Sequence, residues 1–254
     1  PNTPWPRPSS RRPGKAWRAQ TYGDVVPAWH GPSIQQSLPE LLDDFKVEVF
    51  MTVKPKTLKS FGRAELYLLN QGGAKIGKLA MKNIGSEGGS NIGEVIIRNE
   101  STVNRQTLIH TPGAQQRLWN NFYGVLRLER ENGVFKAYIA MIDTETGRHH
   151  TRWHSEPFVD NQGLYDDLLA GVQIHIGQYG ATQFIEDIAI HRIVVYKINQ
   201  PGDNQIPYIA DVGDRITFDH KDKEILINGE PRKDLKNFGA RFFDLQKGEN
   251  QFVV

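Results

Sequence analysis

The residues of this chain best suited to chemistry are five tryptophans and a few planar polar side chains set on alternating runs. An indole ring offers a rigid apolar plate, and Arg, Asn, Asp and His supply directed donors and acceptors. Together such groups hold a hydroxyl-rich saccharide by stacking and hydrogen bonding. Trp5 and Trp17 lie in the proline-rich start of the chain. Trp29 stands in Pro27-Ala28-Trp29-His30-Gly31-Pro32, at a strand entrance. Trp119 precedes Asn120 and Asn121, and these polar neighbours predict an exposed ring; Trp153 sits between Arg152 and His154. In Val172 to Gly177 the apolar set Val172, Ile174 and Ile176 takes one strand face, which leaves Gln173 and His175 on the other. Arg127 alternates in the same way with Leu126 and Leu128. If these strands share the concave sheet of a sandwich, Arg127, Gln173 and His175 line one groove. The competing readings are a core position for each tryptophan and an ordinary solvated face for the polar set.

Other chemistries have thinner support. His150 and His154 share a strand face, but no neighbouring acid completes a transition-metal ligand set. A structural calcium is open to Asp143, Asp160, Asp166, Asp167 and Asp187, although their spacing defines no ligand loop. Glu129 and Glu131 are the nearest approach to the paired carboxylates of a glycosidase. Glu131, however, opens the turn Glu131-Asn132-Gly133, which carries it to the sandwich edge. Cysteine is absent, which closes thiol catalysis and zinc-thiolate sites. Phosphate-loop, dinucleotide and nucleophile-elbow motifs are missing. The expectation is a protein without catalytic activity or bound cofactor.

These side chains need strands to position them, and the pattern supplies strands almost throughout. Phe45 to Val53 alternates with one apolar face. Arg63 to Leu69 and Lys75 to Lys82 read as a hairpin across Asn70-Gln71-Gly72-Gly73-Ala74. Glu94 to Arg98 is a short strand, and Val125 to Arg130 and Val134 to Ile142 flank an Asn-Gly turn. His149 to Phe158, Val172 to Gly177 and Ile185 to Ile198 complete the set, with one helical turn expected near Leu164 to Leu169. Short strands at regular spacing with Gly-rich turns predict an all-β jelly-roll sandwich.

Length and composition agree. A chain of 254 residues with 38% hydrophobic and 24% charged residues can bury a sizeable core. A net charge of +2 gives no reason to expect nucleic acid, and no apolar run is long enough to insert into a membrane. Residues 1–23 are rich in proline and arginine and read as a linker or lead-in segment, residues 24–200 as the sandwich, and residues 201–254 as a small C-terminal β extension. A chain that begins at Pro1 and ends within an apolar run predicts a piece of a longer protein.

The C-terminal extension has a recognisable order. Arg215 to Asp219 and Glu224 to Asn228 flank the turn His220 to Lys223, and Asn228-Gly229 makes a second turn. Phe242-Phe243-Asp244-Leu245, the turn Lys247-Gly248 and the run Gln251 to Val254 follow. This order resembles the C-terminal end of siphophage distal tail proteins, the ring-forming hubs of the tail tip. The runs Trp119 to Arg130, Phe135 to Ala140 and Ile185 to Tyr196 are similar to strands of laminin-G-like and jelly-roll carbohydrate-binding modules. A sandwich followed by that ending resembles the evolved distal tail proteins, which carry such modules inserted in their C-terminal domain. The resemblance implies adhesion at the virion tail tip to a host cell-wall polysaccharide, with other tail-tip subunits as ring partners. The site residues expected are Trp29, Trp119, Arg127, Trp153, Gln173 and His175. The alternatives are a purely structural tail-tip interaction domain and a sandwich-fold glycoside hydrolase.

Overall fold

The computed structural model describes residues 16–54, 61–83, 91–98, 104–111, 118–181, 187–199, 210 and 213–235. They fall into two compact units. The larger draws on Arg12–Ile142 and His150–Gln200, the smaller on Asp143–His149 and Pro201–Val254.

The larger unit is a jelly-roll sandwich. Its strands are β1 (Trp29–His30), β2 (Ser33–Leu42), β3 (Phe45–Lys54), β4 (Gly62–Leu69), β5 (Lys75–Asn83), β6 (Asn91–Ile97), β7 (Gln106–His110), β8 (Phe122–Glu131), β9 (Val134–Ile142), β10 (His149–His154), β11 (Phe158–Val159), β12 (Leu169–Tyr179) and β13 (Asp187–Lys197). A seven-stranded sheet runs β1-β12-β4-β5-β6-β7, with β2 also paired to β12. A six-stranded sheet runs β10-β9-β8-β3-β13, with β11 on β9. The order is wound rather than sequential: β12 returns beside β4, and β3 lies between β8 and β13.

Alternation explains the core. Phe45, Val47, Val49, Met51 and Val53 of β3 point inward with Leu126 and Leu128 of β8 and Ile139 of β9. They meet Leu66 and Leu68 of β4, Leu79 and Met81 of β5, and Val172, Ile174 and Ile176 of β12. Burying each such side chain contributes about 1.5–3 kcal/mol. The Asn132-Gly133 turn takes the left-handed φ values of 50° and 71° that a two-residue hairpin with matching twist requires.

Two elements depart from the sequence pattern. No helical turn forms near Leu164 to Leu169; that stretch is a turn and irregular chain leading into β12. The Asp160 carboxylate instead accepts from the amides of Gln162, Leu164 and Tyr165 and ties the segment into a turn. The long strand β2 carries little alternation, because it is an edge strand and most of its residues are exposed. Pro39 is tolerated in it for the same reason.

In the smaller unit, β14 (Ile216–Asp219), β15 (Glu224–Ile227) and β16 (Glu230–Pro231) form an antiparallel sheet, followed by a 3-10 turn, Lys233–Leu235. Arg148 gathers the first hairpin, with contacts of 2.7 Å to Asp219, 3.2 Å to Asp222 and 3.0 Å to Glu224. The Phe242 to Leu245 and Gln251 to Val254 runs lie outside the described residues.

Candidate functional site

The outer face of the seven-stranded sheet is where polar side chains converge. Strand parity puts the apolar residues of β4, β5, β6 and β12 into the core and turns their alternates outward. Register then sets those alternates in rows. One row crosses six strands as Ser33, His175, Glu65, Ala80, Glu94 and His110. The next is Gln35, Gln173, Tyr67, Lys78 and Ile96. On the other side Gly177, Arg63, Lys82 and Ile92 align, and beyond them Trp29 pairs with Tyr179.

Two carboxylates organise these rows. Arg63 Nη1 donates to Glu65 Oε1 at 3.1 Å, Tyr67 Oη donates to Glu65 Oε2 at 2.9 Å, and His175 Nδ1 lies 3.1 Å from the same Oε2. Glu94 receives Lys78 Nζ at 2.8 Å and Lys82 Nζ at 2.8 Å, with His110 Nδ1 at 3.2 Å. Burial alone pushes both carboxyls up. For Glu65 the His175 contact and the charges of Arg63 and Lys78 overcome burial and hold it below its usual range. For Glu94 the two lysines bring it down to about 2. Tyr67 is raised, by burial first and by Glu65 second. Both acids are therefore firmly ionised acceptors.

Aromatic rings border the ionic rows. The Arg63 guanidinium lies 3.6 Å from the centroid of the half-buried Trp29 ring, and Trp29 meets Tyr179 edge-on at 5.6 Å. Gly177 makes room for the histidine: a Cβ there would fall 2.5 Å from His175 Cε1. Beyond the Gln35–Gln173 row the face opens into a groove of about 450 Å³. Gln35, Ser37, Leu69, Asn70, Gly72 and Gly171 line it. That volume lies within the usual range of small-ligand sites, about 300–1,000 Å³.

Trp29, Gln173 and His175 meet on this face. Arg127 does not. Its parity is as expected, but β8 belongs to the six-stranded sheet, and its Nε donates to Glu48 at 2.8 Å on that sheet's outer side. Parity fixes the side of a strand's own sheet and leaves open which sheet that is. Trp153 also lies with the six-stranded sheet, on edge strand β10, 42% exposed. Trp119 is the clear correction: it is 1% exposed and packs in the core with Phe122. The polar neighbour that suggested exposure is used internally, since Asn120 Oδ1 accepts from the Asn91 amide. Asn91 Nδ2 in turn donates to the carbonyls of Val53 and Trp119.

Arg63, Glu65, Tyr67, Lys78, Lys82 and Glu94 were not singled out from the sequence. Their signal was present in Arg63-Ala64-Glu65-Leu66-Tyr67, where charge alternates with core residues. Among the described residues no group of three or more His, Asp or Glu could hold a metal ion. Of the carboxylates considered for calcium, Asp160 and Asp143 accept backbone amides, Asp187 pairs with Arg18, and Asp167 accepts from Asn70. Among the described residues no helix is long and apolar enough to cross a membrane.

Comparison with known proteins adds two findings. The family model "Siphovirus-type tail component, C-terminal domain" matches residues 184–254, so the expected family of that end of the chain is met. The body has the fold of the CBM2 module of Lactobacillus casei BL23 phage J-1 evolved Dit, with a TM-score of 0.53 and 13% identity over 72% of this chain and 78% of that one. A legume lectin-like domain from Entamoeba histolytica is similar at a TM-score of 0.42 and 12% identity, covering 73% of this chain and 88% of that one. The alginate lyase from Klebsiella pneumoniae is similar at a TM-score of 0.41 and 9% identity, covering 62% and 61%. No curated protein matches. The chain thus ends in a siphovirus tail-component segment and carries the sandwich fold of a phage carbohydrate-binding module.

Proposed function

We propose that this chain is a non-catalytic adhesion module of a phage tail tip that binds a polysaccharide on the host cell surface. The observation that carries this reading is the outer face of the seven-stranded sheet. There Trp29, Arg63, His175 and Gln173 follow one another along one face, which opens beyond Gln173 into a polar groove of about 450 Å³. Trp29 supplies a stacking plate, Arg63 and His175 supply directed polar contacts, and the groove gives a chain of sugars a place to continue. The name of the phage module that shares the fold agrees with sugar as the ligand class.

Two features argue for binding without chemistry. A glycosidase needs one carboxylic acid kept protonated beside a second carboxylate. Here Glu65 and Glu94 are both driven toward the ionised form and both are occupied by donors. Neither is free as a nucleophile or proton donor. An open face of this kind binds each saccharide unit weakly, and several copies on a tail-tip ring turn weak contacts into firm attachment through effective concentration.

The test is decoration. Fluorescently labelled chain should coat intact Gram-positive host cells and bind their purified wall polysaccharide, and one simple sugar should displace it. If no cells are coated even when the chain is multimerised to restore avidity, the adhesion reading fails and a tail-tip role in protein contacts takes its place.

A further inference from the structure

The charge layout of this face names the class of glycan, granted that the face binds glycan at all. Four basic side chains, Arg63, Lys75, Lys78 and Lys82, stand there against two carboxylates, Glu65 and Glu94. Apart from Lys78, whose side chain is 1% exposed, the two signs also differ in depth. The Glu65 and Glu94 side chains are 1% and 7% exposed, while Arg63, Lys82, His175 and His110 are 14%, 14%, 16% and 38% exposed. The acids lie beneath and the N–H donors lie above.

Acceptor capacity points the same way. A carboxylate has about four lone-pair sites. Glu65 already receives Arg63, Tyr67 and His175, and Glu94 receives Lys78, Lys82 and His110. Little remains for the hydroxyl donors by which a neutral sugar would be held. Donors remain in surplus: among the described residues the buried Arg63 Nε–H has no hydrogen-bond partner. An ammonium has three N–H groups, and the contact to Glu94 uses one of those on Lys82.

We propose that the glycan taken by this face is anionic, and that its carboxylate or phosphodiester oxygens sit against Arg63 and Lys82. Glu65 and Glu94 act as struts that aim these donors and keep them from repelling one another. Trp29, at the Arg63 end of the rows, stacks against the sugar ring that bears or neighbours the anionic group.

Titration calorimetry of the whole chain against three polymers tests this: polygalacturonate, its carboxyl-reduced neutral counterpart, and poly(glycerol phosphate). A charged polymer should bind and the neutral one should not. Binding should fade as ionic strength rises toward about 1 M, where the screening length is only about 3 Å. Which charged polymer binds separates a carboxylate from a phosphodiester. Lys82→Gln should weaken that binding about tenfold, the scale of one charge-assisted hydrogen bond. Lys82→Arg should retain it, with unchanged melting showing both variants folded. If the chain decorates cells but takes the neutral polymer as well as the charged ones, or takes neither charged polymer, the charge assignment is overturned and adhesion stands. A chain that binds no polymer and no cell loses both readings.

Discussion

Trp119 and Trp29 show how differently two tryptophans of similar sequence setting are used. Trp119 fills the core, so Trp119→Ala should cost about 3–5 kcal/mol in a denaturant titration. Whatever fraction of that variant stays folded should bind glycan as the parent does. Gly177→Ala should do the reverse. The atoms nearest its Cβ would be those of the His175 ring, which must turn aside, so binding should drop while the melting temperature barely moves. Glu94 gives a pH signature. Its carboxyl is held at about 2 in the folded chain, against about 4.3 when unfolded. A depressed acid stabilises above its unfolded value and loses that contribution as pH falls toward the folded one. Stability should therefore decline between about pH 5 and 2 by up to roughly 3 kcal/mol. Acid denaturation of Glu94→Gln should show a flatter slope over that window; an identical slope would remove Glu94 from this role. At this scale the sequence was a partial guide. Gln173 and His175 were legible from parity, whereas the exposure of Trp119 depended on how Asn91 and Asn120 spend their hydrogen bonds, which no local pattern records.

At the scale of elements, alternation made β3, β9 and β12 readable, since each turns a mostly buried face to the core. The turns were readable for a separate reason: Asn-Gly pairs adopt left-handed φ cheaply. Asn228 and Gly229 do so at 52° and 85°. A Cβ on Gly229 would also lie 2.2 Å from the Gly147 carbonyl oxygen. Gly229→Ala should destabilise the small sheet by more than about 1 kcal/mol. Hydrogen exchange at the amides of Ile225 to Ile227 would report it, and unchanged protection there would contradict it. What alternation does not carry is sheet membership. Arg127 and His175 have the same outward parity, yet β8 and β12 lie in opposite sheets because the chain winds between layers. Grouping them required the long-range pairing of β12 with β4 and of β8 with β3. The edge strand β2 was obscure because a strand bound on one side and wet on the other face needs little apolar patterning.

At the scale of the molecule, a sandwich with the fold of a phage carbohydrate-binding module is joined to a siphovirus tail-component segment. The jelly roll was legible because strand spacing and Gly-rich turns allow few other architectures. The proposed face was not, since it is assembled from β1, β2, β4, β5, β6, β7 and β12, drawn from both ends of the sandwich. The account stands on which of the two outer faces engages glycan, and one comparison decides it. Binding of the intact chain to isolated host cell walls should be measured for Trp29→Ala and Gln173→Ala on the seven-stranded face, and for Arg127→Ala and Trp153→Ala on the six-stranded side. Loss in the first pair with retention in the second is the predicted result. Retention in the first pair and loss in the second would place the site on the opposite sheet and contradict the account.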